Sequence, residues 1–180
     1  ELTPLASPLN EVGPPSPQEV ELSRVVDRGI RESHCLDLAS FCITPGEKVL
    51  SVYIDIYALN GDGNMLDASA MAALVALNTT RMPKLEDGKM VYGEYESTLL
   101  KLANQPLLAT FAKIGNTIVA DPDLGEEKAM SARFSFGSTE KGILTAFQKG
   151  GAGAFTMAEL EQAIEIGLKN GKSLRKLLKV

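Results

Sequence analysis

Three arginines, Arg24, Arg28 and Arg31, recur at intervals of four and three residues. On an α-helix that spacing sets them along one stripe, within about 60° of one another at about 100° per residue. A row of guanidinium forks matches the oxygens of successive phosphates. Glu21, Asp27 and Glu32 stand in the same stretch, so the row equally fits a solvated face laced with ion pairs. A second constellation is acidic: Asp121, Asp123, Glu126 and Glu127. Such carboxylates bind divalent metal or exchange protons, but Asp-Pro-Asp followed by Glu-Glu is also an ordinary turn entering a short helix. Both readings stay open.

Four weaker patterns resolve to structure. Gly171-Lys172-Ser173 has the ending of a phosphate loop, yet Ile166 occupies the place of its first glycine and the stretch has a helical period. Asn60, Asp62 and Asn64 mimic alternating calcium ligands, yet Met71 stands where the bidentate glutamate belongs. His34 and Cys35 are adjacent, so on a helix they diverge by about 100° and no third group orients them; His34 reads as structural or superficial. The glycine run over 150–153 precedes a helix start that could hold an anion, and the plainer reading adopted is a flexible linker.

The arginine row needs a helix to carry it. Ser16, Pro17 and Glu19 make a capping box with proline at the first helical position, and the spacing predicts a helix over 17–39. Leu22, Val25, Val26, Gly29 and Ile30 form its buried stripe, facing away from the arginines. Residues 1–17 hold five prolines and read as an extended lead-in. Lys48 to Leu59 alternates: Leu50, Val52, Ile54 and Ile56 on one face, Ser51, Tyr53, Asp55 and Tyr57 on the other. That is a strand. Asn60 to Asn64 ends it, and Leu66 to Leu77 is an alanine-rich helix able to lie close to a sheet. Pro83, Gly88, Gly93 and Pro106 mark residues 83–106 as a crossover linker between a domain over 1–82 and one over 107–180. The second contains strands at 107–114 and 117–120 around Gly115-Asn116, strands at 131–136 and 143–148, and a helix over 157–178 behind a Thr156–Glu159 capping box. The class is α+β.

Composition bounds the function. The chain has 180 residues, 44% apolar, with 18 Lys+Arg against 23 Asp+Glu and a net charge of −5. That is one or two small globular domains, and their overall field does not favour nucleic acid, so any such contact needs a local basic patch. Two cysteines and a single histidine make neither a zinc framework nor a disulfide scaffold, so no zinc site is expected in this chain and a reducing, cytoplasmic setting is. No apolar run reaches the roughly 18 residues of a membrane span. No secretion leader is read after Glu1, and the chain reads as a fragment.

Taken together, Glu21–Ser33, Leu36-Asp37-Leu38, Ile43–Lys48, Asp55-Ile56-Tyr57, Gly63–Ala68 and Asp121–Glu127 resemble RNase PH-type subunits of the archaeal exosome, and within that family the ring subunit described as non-catalytic. The resemblance implies the RNase PH fold: a ribosomal-protein-S5-domain-2-like N-terminal domain, incomplete here because the opening strands found in relatives fall before Glu1, plus a smaller α+β C-terminal domain. It implies a partner, a catalytic RNase PH-type subunit, with three heterodimers closing a ring, together with RNA-binding cap proteins and single-stranded RNA; no membrane is involved. Active relatives carry arginine where Pro17 and Gln18 stand, and aspartates where Lys128 to Arg133 follow the acidic cluster. Without those acids a loose phosphoryl-transfer transition state lacks charge stabilisation. The expectation is therefore a subunit with no catalytic residue and no cofactor of its own. Inorganic phosphate, with or without a divalent metal, would act at the partner's site, and Arg24, Arg28 and Arg31 would hold RNA phosphates. The competing reading is a self-sufficient phosphate-dependent exoribonuclease that uses the acidic cluster with a metal.

Overall fold

A computed structural model describes residues 1–178; positions 179 and 180, the last two of the expected C-terminal domain, lie outside it. Helix α1 (Pro17–Glu32) starts at its capping box: the Ser16 hydroxyl accepts from the Glu19 N–H, and the Glu19 carboxylate accepts from the Ser16 N–H at 2.7 Å. The same carboxylate accepts from the Leu2 N–H at 2.8 Å, which ties the lead-in to the helix. The helix stops short of the expected residue 39. The Ser33 hydroxyl donates to the Ile30 carbonyl and His34 takes a left-handed φ of 49°, which turns the backbone out of the helical ladder. A 3₁₀ turn over Leu38–Phe41 follows, then the small hairpin of β1 (Cys42–Thr44) and β2 (Lys48–Val49).

The strand expected over 48–59 is paired only at its start. Further on the chain stays extended, with Ile54 and Ile56 packed inward and Tyr53 and Tyr57 exposed. Alternation set which way the side chains face; a ladder also needs a neighbour. Glu1 supplies one point of pairing, donating to the Ile56 carbonyl and accepting from the Ala58 N–H. Between this segment and α1 lies an apolar cleft of about 1160 Å³, walled by Leu22, Val26, Ile30, Leu36, Ile54 and Ile56.

Helix α2 (Met65–Thr79) buries Leu66, Ala70, Ala73, Leu74 and Leu77, and its alanines allow close approach to α1 and the sheet beyond. The stretch read as a crossover instead holds a hairpin, β3 (Arg81–Glu86) and β4 (Lys89–Leu99). Asp87 and Gly88 turn it with φ of 51° and 71°, the paired left-handed torsions of a two-residue hairpin loop. Register shifts around Pro83 absorb the breakers that pointed to a linker. Nearly all of β4 is exposed, so no alternation of polar and apolar residues marked it as a strand.

The remaining strands form one antiparallel sheet in the order β6-β5-β7-β8: β5 (Leu107–Ile114), β6 (Thr117–Ala120), β7 (Ala132–Ser138) and β8 (Leu144–Gly150). A short helix α3 (Leu124–Ala129) joins β6 to β7, and α4 (Met157–Leu177) closes the chain. One sheet face packs Phe111, Phe134 and Phe136 against Ala163 of α4; the other packs Leu108 against Val25, Val26, Ala70 and Ala73 of α1 and α2. The sheet thus lies between two helical layers, the α+β class expected. No described helix is long and apolar enough to cross a membrane.

The glycines over 150–153 are packed, not a flexible linker. A Cβ on Gly151 or Gly153 would stand 2.7 or 2.9 Å from the Ser131 carbonyl oxygen, which the Gly153 N–H bonds at 2.8 Å. Only glycine permits two backbones to cross so closely. Gly167 does the same for α4: an added Cβ would lie 2.5 Å from the Phe136 ring and 2.9 Å from Ala109. Gly167→Ala is therefore expected to cost about 2 kcal/mol through overpacking and to lower the Tm by about 6 °C in thermal unfolding followed by circular dichroism. An unchanged Tm would mean that α4 does not rest on the sheet at this point.

Candidate functional site

The apolar stripe of α1 seats the helix, and the arginines take what positions remain. Val25, Val26 and Gly29 are buried. Arg28, at the margin of that buried stripe, leans onto the sheet and is half-buried, its Nη2 donating to Gln148 Oε1 at 2.7 Å. Arg24, one turn earlier, is exposed and makes no ion pair among the described residues. Arg31 is exposed and faces two carboxylates, Asp27 at 3.3 Å and Glu32 at 3.8 Å. The three thus share a stripe but not an environment.

Beneath Arg28 lies a network that the arginine spacing did not disclose. Glu21 Oε1 accepts from Gln148 Nε2 at 2.9 Å and from Arg133 Nη2 at 2.6 Å. Burial alone would push the Glu21 carboxyl up; hydrogen bonds from Arg133 and Gln148, with the charges of Arg133 and Arg28, outweigh it and leave the group below the usual carboxylate range. The register pairs Ser135 with Gln148 and Arg133 with Gly150, so Arg133 and Gln148 share the sheet face on which α1 lies. Strand alternation places them together, but only knowledge of which face α1 covers makes them part of its surface.

The acidic cluster is engaged structurally. Asp123 caps α3 in a reciprocal box with Glu126, at 2.8 and 3.0 Å. Glu127 accepts from the Asn64 N–H at 3.0 Å, and Asp121 from the Asn64 side-chain amide at 2.6 Å. That amide's second hydrogen reaches Asp67, at 2.9 Å. Asp67 also accepts from the Thr110 N–H at 3.0 Å and from its hydroxyl at 2.7 Å, and that hydroxyl meets Ser135 at 2.9 Å. The 60–64 turn is thus a clamp between α2, β5 and α3. A Cβ on Gly63, at φ 104°, would stand 2.5 Å from the Asp123 backbone, so the turn requires glycine there. Elsewhere, Gly171-Lys172-Ser173 lies within α4, and His34 is exposed beside the buried Cys35.

Comparison with known proteins places this helix pair and its antiparallel sheet in a family of RNA-degrading proteins. The 3′ exoribonuclease family matches through its domain 1 over residues 1–83 and its domain 2 over residues 104–170, and the chain belongs to that family. Among individual proteins it is 48% identical to the exosome complex component Rrp42 of Thermococcus kodakarensis, over 99% of this chain and 67% of that one. It is 46% identical to the Rrp42 of Methanothermobacter thermautotrophicus, over 94% and 63%. The chain therefore spans about two thirds of the length of these relatives. Its fold superposes on a chain of the Archaeoglobus fulgidus exosome with RNA bound to the active site, with a TM-score of 0.90 and 37% identity over 99% of this chain and 68% of that one. Against an archaeal exosome core the TM-score is 0.81, with 35% identity over 91% and 64%.

The clamp has a pH signature. Burial raises the Asp67 carboxyl above its ordinary 3.8, against the pull of hydrogen bonds from Asn64 and Thr110. A raised folded-state value means that this group's contribution to stability is present at low pH and is lost as pH rises through that value. Asp67→Asn, which cannot titrate, is therefore expected to be more destabilising near pH 4 than near pH 7, read as the difference in urea midpoints between the two proteins. A gap that widened toward neutrality would contradict the assignment.

Proposed function

We propose that the chain is a non-catalytic, RNA-positioning ring subunit of a phosphorolytic 3′→5′ exoribonuclease complex, an exosome core. One observation carries the reading: Arg24 and Arg28 stand a turn apart on α1, neither faces a carboxylate at ion-pair distance among the described residues, and Arg28 is anchored by a neutral amide. Two guanidinium groups so placed hold successive phosphates without reading bases. Arg31, partnered by Asp27 and Glu32, is a weaker third member.

Further support comes from the relatives, which are exosome components, one in a complex described with RNA in its active site. Lys128 to Arg133 contain no acid where active members continue with aspartates, and Asp121, Asp123, Glu126 and Glu127 serve as caps and clamp. In this reading a catalytic RNase PH-type partner forms the heterodimer, three to a ring, with RNA-binding cap proteins above it in the cytoplasm. Phosphate, with or without a divalent metal, acts at the partner's site, and this chain contributes guidance of single-stranded RNA toward it.

The chain mixed with its catalytic partner is expected to degrade RNA in a phosphate-dependent way that the chain alone does not. In the assembled complex, Arg24→Ala with Arg28→Ala should weaken RNA binding about tenfold and flatten the dependence of log K on log salt by about 0.7 per lost contact. Degradation by the chain alone would overturn the non-catalytic assignment. Unchanged affinity and slope in the double variant would leave only a scaffold role.

A further inference from the structure

We propose that Gln148 is the positioning residue of the arginine site: its side-chain amide fixes the Arg28 guanidinium toward an RNA phosphodiester without neutralising it. This rests on the RNA-guiding reading above. A glutamine side chain offers one acceptor and one donor group, and here both are used: Oε1 takes the Arg28 hydrogen at 2.7 Å while Nε2 donates to Glu21 at 2.9 Å. Turning the amide over would set N–H against guanidinium and carbonyl against carboxylate, so a single orientation satisfies both neighbours.

The arm is braced from behind. Arg133 donates to the same Glu21 oxygen at 2.6 Å with its side chain 15% exposed. Its guanidinium lies over Gly150, where a Cβ would come within 3.1 Å of it. Gly150 makes room for Arg133, Arg133 holds Glu21, Glu21 orients Gln148, and Gln148 presents Arg28. The charge count follows: one carboxylate stands against two guanidinium groups, which leaves one positive charge uncompensated beside the exposed Arg24. A glutamate at position 148 would have the same shape and would cancel that charge. The neutral amide supplies direction and leaves the guanidinium's remaining donors and its charge for an anion.

The test uses the chain in its assembled complex, a fluorescein-labelled oligoadenylate of about 20 nucleotides, and anisotropy titrations at several salt concentrations, with Tm recorded for every variant. Gln148→Met, which keeps the volume and loses both hydrogen bonds, is expected to weaken binding about threefold, and Gln148→Glu about tenfold. In an Arg28→Ala background Gln148→Met should not weaken it by more than about 1.5-fold, because the pair acts as one unit. A purely structural Gln148 would instead lower the Tm and cost the same affinity with or without Arg28, which would overturn the proposal. If Gln148→Met fails to fold, Gln148→Glu decides, and wild-type affinity there also overturns it. If the Arg24→Ala, Arg28→Ala protein binds like wild type, the RNA-guiding reading fails and this inference with it. If that protein binds weakly while the Gln148 variants bind like wild type, this inference alone fails.

Discussion

The contact on which the arrangement depends is that of α1 with the sheet at Gly29. A Cβ there would meet Leu108 at an ordinary van der Waals distance of 3.5 Å, so what seats the helix on β5 is the apolar stripe itself, with Val25 and Val26 buried against Leu108. Burying two such side chains is worth about 1.5–3 kcal/mol each, whereas an exposed pair such as Arg31 with Asp27 is worth about 0.5 kcal/mol or less. The apolar face therefore sets the rotation of the helix, and the arginines follow. That rotation brings Arg28 down to Gln148, keeps Arg24 in solvent, and sets Glu21 over Arg133.

The polar clamp around Asn64 is the second constraint, and it joins segments that the hydrophobic clusters leave to polar groups. Asp67 is an expensive group to bury, and it is accommodated because Asn64 and both hydrogen-bonding groups of Thr110 are directed at it. Asn64 itself sits in a left-handed conformation as the cap of α2, with its two amide hydrogens divided between Asp67 and Asp121. One side chain thereby fixes the start of α2, the start of β5's polar face and the approach to α3. The same arrangement occupies the acidic cluster: Asp123 and Glu126 cap α3, while Asp121 and Glu127 hold Asn64.

Much of this was legible in the sequence, and the failures have specific causes. The capping boxes at Ser16 and Thr156 and the hairpin at Gly115-Asn116 are local chemistry, and the structure has them where the residues put them. The end of α1 was not legible, because Ser33 and His34 carry no strong stop signal. The β3–β4 hairpin is masked in the sequence because Pro83 and Gly93 look like linker residues and β4 is too exposed to alternate; Asp87-Gly88 is its one local turn signal. The extended segment after Val49 shows the converse: its facing was readable, its pairing was not, because pairing is a property of two strands. Gln148 and Arg133 lay beyond reach for the same reason, since their meeting with α1 depends on which sheet face the helix covers.

The three arginines can be separated by asking which of them the fold itself needs. Arg31 lies in the last turn of α1, where a cation favours the carbonyl end of the helix, and Asp27 precedes it by four residues in the stabilising order. Helix stability alone accounts for it. Arg28 is half-buried yet bonded to an amide, which is weaker compensation than a carboxylate would give a guanidinium drawn partly out of water. Arg24 stands mid-helix, exposed, beyond the reach of either helix end and without an ion pair among the described residues. Charge whose position the folded chain does not itself require, adjacent to charge it compensates only partly, is what the proposed RNA contact draws on. The repeat of phosphates along a flexible single strand can meet both groups at once, which an isolated anion over one guanidinium does not.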